Sequence, residues 1–546
     1  MNKLTYLLSI LLCLCSACGL DKARPHKHRF TMTCKVDCIK EQFITEEGRQ
    51  KALRFFKDCH VELVYLESYR HGVSVPSEIL EEVKHAFEKA GIRCAGCITT
   101  TRMSHTKSTE WDIATCFTDP TGREFLRETV MRTAKLFDLI ILDDFFFMAC
   151  QCDLCKVAKG ERSWTEFRSE HMLEVSKEDV LSAAKAVNPN CKIIIKYPCW
   201  YERLQERGYD VINETALFDY SFAGTETRNG GPQTQACWYQ SWLNDVSNGK
   251  CAGGWYDPLS TSPDTYVEQA RQTILGGAKE SLLHCYDYLD ADNPGIAIDS
   301  DSGVKNGKAD AQAIRREING LRQLADYITP MIPRGVLLAK KPNECPDADI
   351  NLIGKIGLLG IPFIASDNLK ENDAYFLTAH ASHFDNLNQV VKRSLDSKTP
   401  IVLSGQVYHD LDTLLQKQLY EGTELLPDEF LLISFDGSVT KVDNPFKMEE
   451  TQLNGFRNHL LKPFRLQMDA PRNVSLHLFT SEKEDLEVIE NFNDEPVTVK
   501  IIFPEKRGRK LKLGLPENSK VRLTKNSDME YLIYLEPRTL AMIGGR

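Results

Sequence analysis

The chain has 546 residues, of which 42% are hydrophobic and 26% are charged, and its formal net charge is −10. This composition is typical of a folded globular protein, and the length predicts two or three domains. Acidic and basic residues are mixed throughout and no basic block occurs, which argues against nucleic acid as a partner.

The first residues, MNKLTYLLSILLCLCSACGL, have the pattern of an export signal. Lys3 supplies a positive start, residues 4–14 supply an apolar stretch, and small residues precede Cys18. The end of this pattern resembles a bacterial lipoprotein signal, which implies a signal peptide over residues 1–18 and a lipid anchor on Cys18. The protein is then expected on the bacterial cell envelope, either periplasmic or on the outer-membrane surface. Plain secretion is the alternative.

From residue 30 to about 330, apolar β-rich segments alternate with segments of helical periodicity, such as residues 77–91. Eight strands are predicted, over residues 30–36, 61–68, 93–100, 139–144, 192–198, 217–224, 251–257 and 281–289. Eight such repeats predict a closed (β/α)8 TIM barrel with its helices outside, over residues 28–330. An open doubly wound sheet is the alternative.

Two further regions follow the barrel. The prolines of ITPMIPRG (328–335) mark a boundary, and the alternating segments after it predict a small open α/β domain over residues 331–440. From residue 441 to 546, short alternating strands are separated by Asn, Asp, Gly and Pro turns. That pattern predicts an antiparallel β-sandwich.

Acidic residues recur at the predicted C-terminal strand ends, where a barrel of this kind carries its reactive groups. They are Glu67, the doublet Asp143-Asp144, Glu226, Asp257 and Asp287. Basic and aromatic side chains accompany them, namely Arg70, His71, Trp200, Tyr201, Arg228, Trp255 and Tyr256. A single acid at a strand end is often only a cap or an ion-pair partner, and an ion pair between Glu226 and Arg228 is an open alternative.

Acids interleaved with flat aromatic faces suit a carbohydrate substrate. Cleavage of a glycosidic bond needs two carboxyl groups, of which one is kept protonated by its surroundings. The sequence therefore predicts a glycoside hydrolase whose central carboxylates are Asp143, Asp144 and Glu226, with the other strand-end residues binding substrate. Strand alternation points one aspartate of the doublet into the barrel mouth and the other towards the helices, and Asp144, ahead of the loop, is favoured.

The order of lipoprotein signal, barrel, small α/β domain and β-sandwich resembles that of bacterial glycoside hydrolases. The middle region resembles the glutamine-amidotransferase-like domain that follows the barrel in family 42 β-galactosidases. The acids of ILDDFFF and AGTETRN are similar to those of the α-galactosidase and α-glucosidase superfamily. That resemblance implies Asp144 (or Asp143) as nucleophile and Glu226 as acid/base. The family 42 pattern differs, because it has glutamates after strands four and seven.

The chain contains 18 cysteines, and three of them form a C-x-C-x-x-C cluster directly after the aspartate doublet. Cys150, Cys152 and Cys155 can hold a structural zinc ion if a fourth ligand joins them, and Cys116 is the expected fourth. Two disulfides among these four are the alternative in an oxidising compartment. The other cysteines are expected to be mostly free thiols, and the predicted reaction requires no cofactor.

Two other functions are compatible with the sequence. The first is a non-catalytic carbohydrate-binding lipoprotein on a degenerate barrel. The second is a metal-dependent hydrolase or deacetylase that uses His60, His71 or His105 with nearby acids, although these histidines lack ligand spacing. In each case the protein is tethered to the membrane by its lipid, and the middle domain is compatible with a homo-oligomer.

Overall fold

A computed structural model of the protein describes residues 28–228, 230–290, 306–346, 352–420 and 424–545. The predicted signal peptide and Cys18 lie outside the described residues. Within the described residues, no helix has the length and apolar character that crossing a membrane requires.

Eight parallel strands form a closed barrel, so the predicted fold class is confirmed. The strands are β1 (Arg29–Cys34), β2 (Val61–Arg70), β3 (Arg93–Ile98), β4 (Leu139–Leu142), β5 (Lys192–Tyr197), β6 (Tyr220–Gly224), β7 (Cys251–Tyr256) and β8 (Glu280–Leu283). Each strand pairs with the next one, and β8 closes the barrel by pairing with β1. A short antiparallel strand, Val73–Ser74, extends the end of β2.

Helices surround the barrel. They are Val36–Glu41, Glu46–Asp58, Ser77–Lys89, Pro120–Leu136, Asp153–Lys159, Trp164–Val175, Ala183–Val187, Val211–Leu217, Thr234–Val246, Pro263–Leu275, Tyr286–Leu289 and Gly307–Ile328. A π-helical turn, Ser176–Ser182, joins two of them, and a 3-10 turn, Gln205–Arg207, lies in the loop after β5. Alternate strand residues such as Tyr65, Phe222 and Leu282 fill the barrel interior, and their neighbours pack under the helices.

The largest differences between predicted and observed strands concern β6 and β8. β6 begins only at Tyr220, because the preceding Val211–Leu217 is helical and Asp210 caps it by accepting from the Asn213 N–H. β8 ends at Leu283, and Tyr286–Leu289 is a short helix. Asp287 therefore lies on a helix, not at a strand end.

The middle region contains one six-stranded sheet. Its order is Phe363–Ser366, Val336–Ala339, Tyr375–Leu377, Ile401–Ser404, Phe430–Ile433 and Val439–Val442. The first four strands are parallel and the last two are antiparallel. Helical segments cover it, namely Ile353–Leu359, Ala379–His383, Leu387–Ser397, Gly405–Asp410 and Thr413–Leu419.

Two antiparallel sheets form the C-terminal region. One contains Ile332–Arg334, Val474–Thr480, Asp485–Asn491, Leu540–Gly545 and Lys510–Leu515, and the other contains Gln467–Asp469, Val497–Ile502, Glu530–Leu535 and Arg522–Lys525. The helix Glu450–Leu461 and the turns Pro445–Lys447 and Lys462–Phe464 precede the second sheet. The strand Ile332–Arg334 comes directly after the barrel and pairs with Val474–Thr480. The chain therefore contributes one strand to the C-terminal sheets before it forms the middle sheet.

Candidate active site

Asp143 is the buried member of the aspartate doublet. It follows the end of β4 and is 4% exposed. Lys196 donates to its Oδ1 at 2.5 Å, while Arg70 and Thr99 donate to its Oδ2 at 2.8 and 3.0 Å. Burial alone would raise the pKa of Asp143, but the charges of Lys196 and Arg70 outweigh burial and hold this pKa well below its usual value. Asp143 is therefore an ionised carboxylate whose oxygens are already bound.

Asp144 is the partly exposed member of the doublet. Its side chain is 23% exposed, and its Oδ1 lies 3.9 Å from the Lys196 Nζ. Burial, together with the charge of Asp143, raises the pKa of Asp144 to about 7. Tyr209 fixes the backbone here by donating to the Asp144 carbonyl oxygen at 2.7 Å. The expected opposite orientation of the two aspartates is wrong, because β4 has already ended and both side chains lie near one lysine.

Glu226, which follows β6, is the second acid with a strongly perturbed pKa. It is 6% exposed, and its Oε2 has no hydrogen-bond partner among the described residues. Burial and the charge of Asp257 raise its pKa to about 8, and the charge of Asp144 adds to this shift. The alternative ion pair to Arg228 is not formed, because Arg228 donates to Asp257 Oδ2 at 3.0 Å instead. Asp144 therefore lies close enough to Glu226 for its charge to act on this second acid.

Glu67 and Asp287 have structural contacts that the sequence did not indicate. Glu67 is fully buried and accepts from Arg70 Nε at 2.8 Å and from the Val36 N–H, and it shares the single hydroxyl proton of Thr99, at 2.5 Å, with Asp143. Asp287 accepts from the Lys35 N–H at 3.3 Å and is also buried. The carboxylate of Glu67, which was predicted to bind substrate, holds Arg70 against Asp143. His71 lies exposed at the turn after β2.

Three of the predicted sugar-binding aromatic residues are buried instead. Tyr201 packs against Trp238 with ring centroids 4.9 Å apart, and Tyr256 packs against Tyr266 at 5.4 Å in the helix layer. Trp255 points into the barrel interior, where the Lys196 Nζ lies 4.1 Å from its ring centroid. Trp255 and Tyr256 are buried because successive residues of β7 alternate between the interior and the helices, and neither direction opens to solvent.

A different aromatic cluster borders Asp144. Trp200, which was predicted, is partly exposed, and so are Trp111 and Phe145, which were not. The ring centroid of Trp111 lies 5.9 Å from that of Trp200 and 5.5 Å from that of Phe145. Phe145 directly follows Asp144 in the sequence, whereas Trp111 comes from the loop after β3. We call Trp111, Phe145 and Trp200 the aromatic platform.

Two polar residues of the site were also missed. Lys196 is the penultimate residue of β5, and a lysine inside the apolar strand KIIIKYP was the signal for it. His284 directly follows β8 and lies close enough to Asp143 for the two side chains to interact electrostatically. Burial and the positive charge of Lys196 lower the pKa of His284 well below its usual value, so it is a neutral imidazole beside the doublet.

The loop after β5, which carries Trp200, is anchored to the middle sheet. His380 Nε2 lies 3.1 Å from Glu202 Oε1, and both side chains are almost fully buried. Burial lowers the pKa of His380, so a neutral imidazole donates to the Glu202 carboxylate. The middle domain thereby fixes the residue two positions after Trp200.

The four predicted cysteines converge at one point. The Sγ atoms of Cys116, Cys150, Cys152 and Cys155 all lie within 4.8 Å of one another. The Cys116–Cys152 separation is 3.8 Å, and Cys155 lies 3.6 Å from both Cys116 and Cys152. Thiolates at about 2.3 Å from a tetrahedral zinc ion stand about 3.8 Å apart, whereas disulfide sulfurs are about 2.05 Å apart. The donor set and its spacing therefore fit zinc.

No second metal-type cluster of three or more His, Cys, Asp or Glu side chains occurs in the part of the chain that the structure describes. His60, one of the three histidines considered for a metal enzyme, instead accepts from Arg322 at 2.9 Å. The metal-dependent alternative thus finds no histidine site among these residues.

Comparison with known proteins identifies the family. Residues 19–301, more than half of the chain, match the family model described as "probable glycosyl hydrolase, catalytic domain". The chain belongs to this family of probable glycosyl hydrolases. An uncharacterized protein of Saccharolobus solfataricus is 24% identical in an alignment of 384 residues that covers 64% of this chain. The alignment spans 62% of that relative's own length.

Solved structures share the fold of this glycosyl hydrolase family member. α-L-fucosidase isoenzyme 2 from Paenibacillus thiaminolyticus and a β-galactosidase from Bacillus circulans sp. alkalophilus both superpose with a TM-score of 0.63, at 10% identity, over 95% of this chain and 99% of theirs. A catalytic mutant of a GH42 β-galactosidase from G. stearothermophilus gives 0.62, at 10% identity, over 95% and 98%. The predicted resemblance to barrel glycosidases is therefore confirmed at the level of the fold.

Proposed function

We propose that this protein is an exported glycoside hydrolase that cleaves glycosidic bonds of an oligosaccharide or polysaccharide. The observation that carries the proposal is the pair Asp144 and Glu226, two acids of raised pKa that lie close enough for the charge of Asp144 to act on Glu226. Membership of the glycosyl hydrolase family and the barrel architecture support it.

The two acids have different roles in the proposed mechanism. Glu226, with a pKa of about 8, is protonated near neutral pH and donates its proton to the leaving glycosidic oxygen. Asp144 reacts as the carboxylate, either by attacking the anomeric carbon or by activating water. Lys196, 3.9 Å from Asp144, stabilises this carboxylate, while Asp143 keeps the lysine charged and in place.

The aromatic platform gives the cleft a surface for sugar rings. Trp111, Phe145 and Trp200 are partly exposed beside Asp144, and flat aromatic faces stack on the C–H faces of a pyranose. The substrate is therefore proposed to lie with its non-reacting rings on Trp111 and Trp200 and its scissile bond above Asp144.

The cysteine cluster is proposed to hold a structural zinc ion. Cys116 belongs to the loop after β3, and the other three belong to the segment after β4, so one ion would join both loops. These loops carry Trp111 and Phe145, whose positions the metal would therefore fix. Zinc takes no part in the proposed chemistry.

We propose from the N-terminal sequence that the protein is exported and anchored by lipid. A lipoprotein pattern that ends at Cys18 supports export and acylation of that cysteine. Expression of the full chain in a bacterium should place it in the membrane fraction, and Cys18→Ala should move it to the soluble fraction. Equal membrane association of both proteins would contradict the anchor.

A panel of aryl α- and β-glycosides and natural glycans tests the function. We expect the full chain to hydrolyse members of one anomeric series. A chain that binds glycans on an array but hydrolyses no member of the panel would be a carbohydrate-binding protein, and the proposal would be wrong.

A further inference from the structure

A cleft of about 940 Å³ lies between the barrel and the middle domain, at the end of the barrel opposite to the doublet. One wall comes from residues that precede β6 and β7, including Thr215 and Lys250. The other wall comes from loops of the middle domain, including Lys341, Asn368 and Phe384. Because these barrel residues precede their strands, the cleft is separate from the site of Asp144 and Glu226.

The position of the cleft within the middle domain is one where open α/β sheets bind ligands. Its lining residues follow the carboxyl ends of three parallel strands, Val336–Ala339, Phe363–Ser366 and Tyr375–Leu377. Val336–Ala339 lies between the other two strands, so the order in which the strands are added to the sheet reverses direction at this point. Such a topological switch point forms a crevice outside the carboxyl ends of the strands. The volume is also in the range of ligand pockets, about 300–1,000 Å³.

The lysine ammonium groups of the cleft already face oxygen atoms of the protein. Lys250 Nζ donates to the carbonyl oxygens of Thr215 at 3.1 Å and Ala216 at 3.2 Å, and Lys341 Nζ donates to that of His383 at 3.2 Å. Lys370 Nζ lies 3.6 Å from Asp245 Oδ2. Ammonium groups held in this way are not arranged to clamp a phosphate, sulfate or carboxylate.

The acidic groups balance these cations. Asp367 lies next to Asp245, whose Oδ2 accepts from the Asp367 N–H at 3.1 Å, and Asp385 is exposed at the rim. Two aspartates line the cleft with three lysines, and the third lysine, Lys370, is paired with Asp245, which is not a lining residue; this balance favours a ligand without net charge. Asn368 and Asp385 offer exposed amide and carboxylate groups for hydroxyls, and the partly exposed ring of Phe384 offers an apolar face.

We propose that this cleft is an accessory saccharide-binding site, which holds an uncharged stretch of glycan away from the reaction centre. The choice of ligand rests on the proposed function, whereas the site itself rests on the cleft. Such a site increases the residence of a polysaccharide on the enzyme through a second point of attachment.

The test uses a glycan array probed with the full chain carrying Glu226→Gln, so that bound glycans are not cleaved. Phe384→Ala and Asp385→Ala, each added to this chain, should lower the array signal by about tenfold, equivalent to about 1.4 kcal/mol. Asp396→Ala, an exposed substitution on the adjacent helix Leu387–Ser397, is the control and should change nothing. Trp200→Ala, which removes a platform residue, should leave a residual signal.

Two results would overturn the accessory site. One is an array signal that Phe384→Ala and Asp385→Ala leave intact, and the other is the absence of any signal. Hydrolysis of aryl glycosides by chains with an intact Glu226 separates this failure from that of the proposed function. We expect Phe384→Ala and Asp385→Ala to leave this hydrolysis unchanged, because a small aryl glycoside occupies only the reaction centre.

Discussion

The ammonium group of Lys196 lies 2.5 Å from Oδ1 of Asp143, and both side chains are almost completely buried. This contact gives two adjacent aspartates opposite properties. Asp143 is held ionised by Lys196 and Arg70, while the charge of Asp143, added to burial, raises the pKa of Asp144 to about 7. Burial and the charge of Asp143 thus leave the other carboxyl of the doublet with a pKa near neutrality, although the charge of Lys196 acts in the opposite direction.

Asp143→Asn should destabilise the protein, because Lys196 and Arg70 would lose their shared counter-charge. Breaking a buried pair on one side costs about 3–5 kcal/mol, so the free energy of unfolding should fall by about this amount. Urea denaturation measures it. Asp153→Asn, at a side chain that is 97% exposed, is the matched control and should have no effect. Equal stability of the two variants would show that the pair does not hold the site together.

The pH dependence of kcat/KM should be bell-shaped. Activity should rise as pH increases through about 7, because Asp144 must lose its proton, and fall as pH increases through about 8, because Glu226 must keep its proton. A dinitrophenyl glycoside, whose leaving group needs no proton, should remain a substrate for Glu226→Gln. With that variant the alkaline limb should be absent, and its persistence would assign the limb to another group.

His380→Ala should weaken substrate binding although His380 touches no substrate. Loss of its hydrogen bond to Glu202 frees the loop that carries Trp200, so KM should rise several-fold while kcat changes little. Trp200→Ala should raise KM in the same way, and the double variant should not add the two effects. His383→Ala is the control. His383 lies in the same turn as His380, and its ring faces Glu344, with 3.8 Å between His383 Nδ1 and the Glu344 carboxylate. Fully additive effects of the two substitutions on KM would show that His380 does not act through Trp200.

The purified protein should contain about one zinc ion per chain, measured by elemental analysis. Cys116→Ser and Cys152→Ser should each lose the metal and lower Tm, because the loops after β3 and β4 would no longer be joined. Cys191→Ser, at a buried cysteine outside the cluster, should retain the zinc. A protein without zinc whose mass shows two disulfides would contradict this assignment.

The sequence predicts the parts of this protein that depend on local pattern. Eight apolar segments at regular spacing predict the barrel, and the close spacing of Cys150, Cys152 and Cys155 predicts their cluster. Trp111 could not be predicted, because only the folding of the loop after β3 brings it beside Trp200. Contacts between distant segments, such as Glu202 with His380, leave no local signal for the same reason.

Errors within β7 and after β4 have a different cause. Trp255 and Tyr256 lie at a strand end in the sequence. Side chains alternate along a strand, so Trp255 points into the barrel interior and Tyr256 packs under a helix. The predicted strand 139–144 includes the doublet, although β4 ends at Leu142. A shift of one residue in a strand boundary changes which side chains reach the cleft.

The most direct test of the central claim compares kcat of the wild-type chain, Asp144→Asn, Glu226→Gln and Asp153→Asn on the best aryl glycoside whose leaving group requires protonation. We expect kcat to fall by about 10²–10⁴ in both active-site variants and to stay unchanged in Asp153→Asn. Circular dichroism should show that all four proteins are folded. Retention of activity by Asp144→Asn would contradict the assignment of the reacting carboxylate.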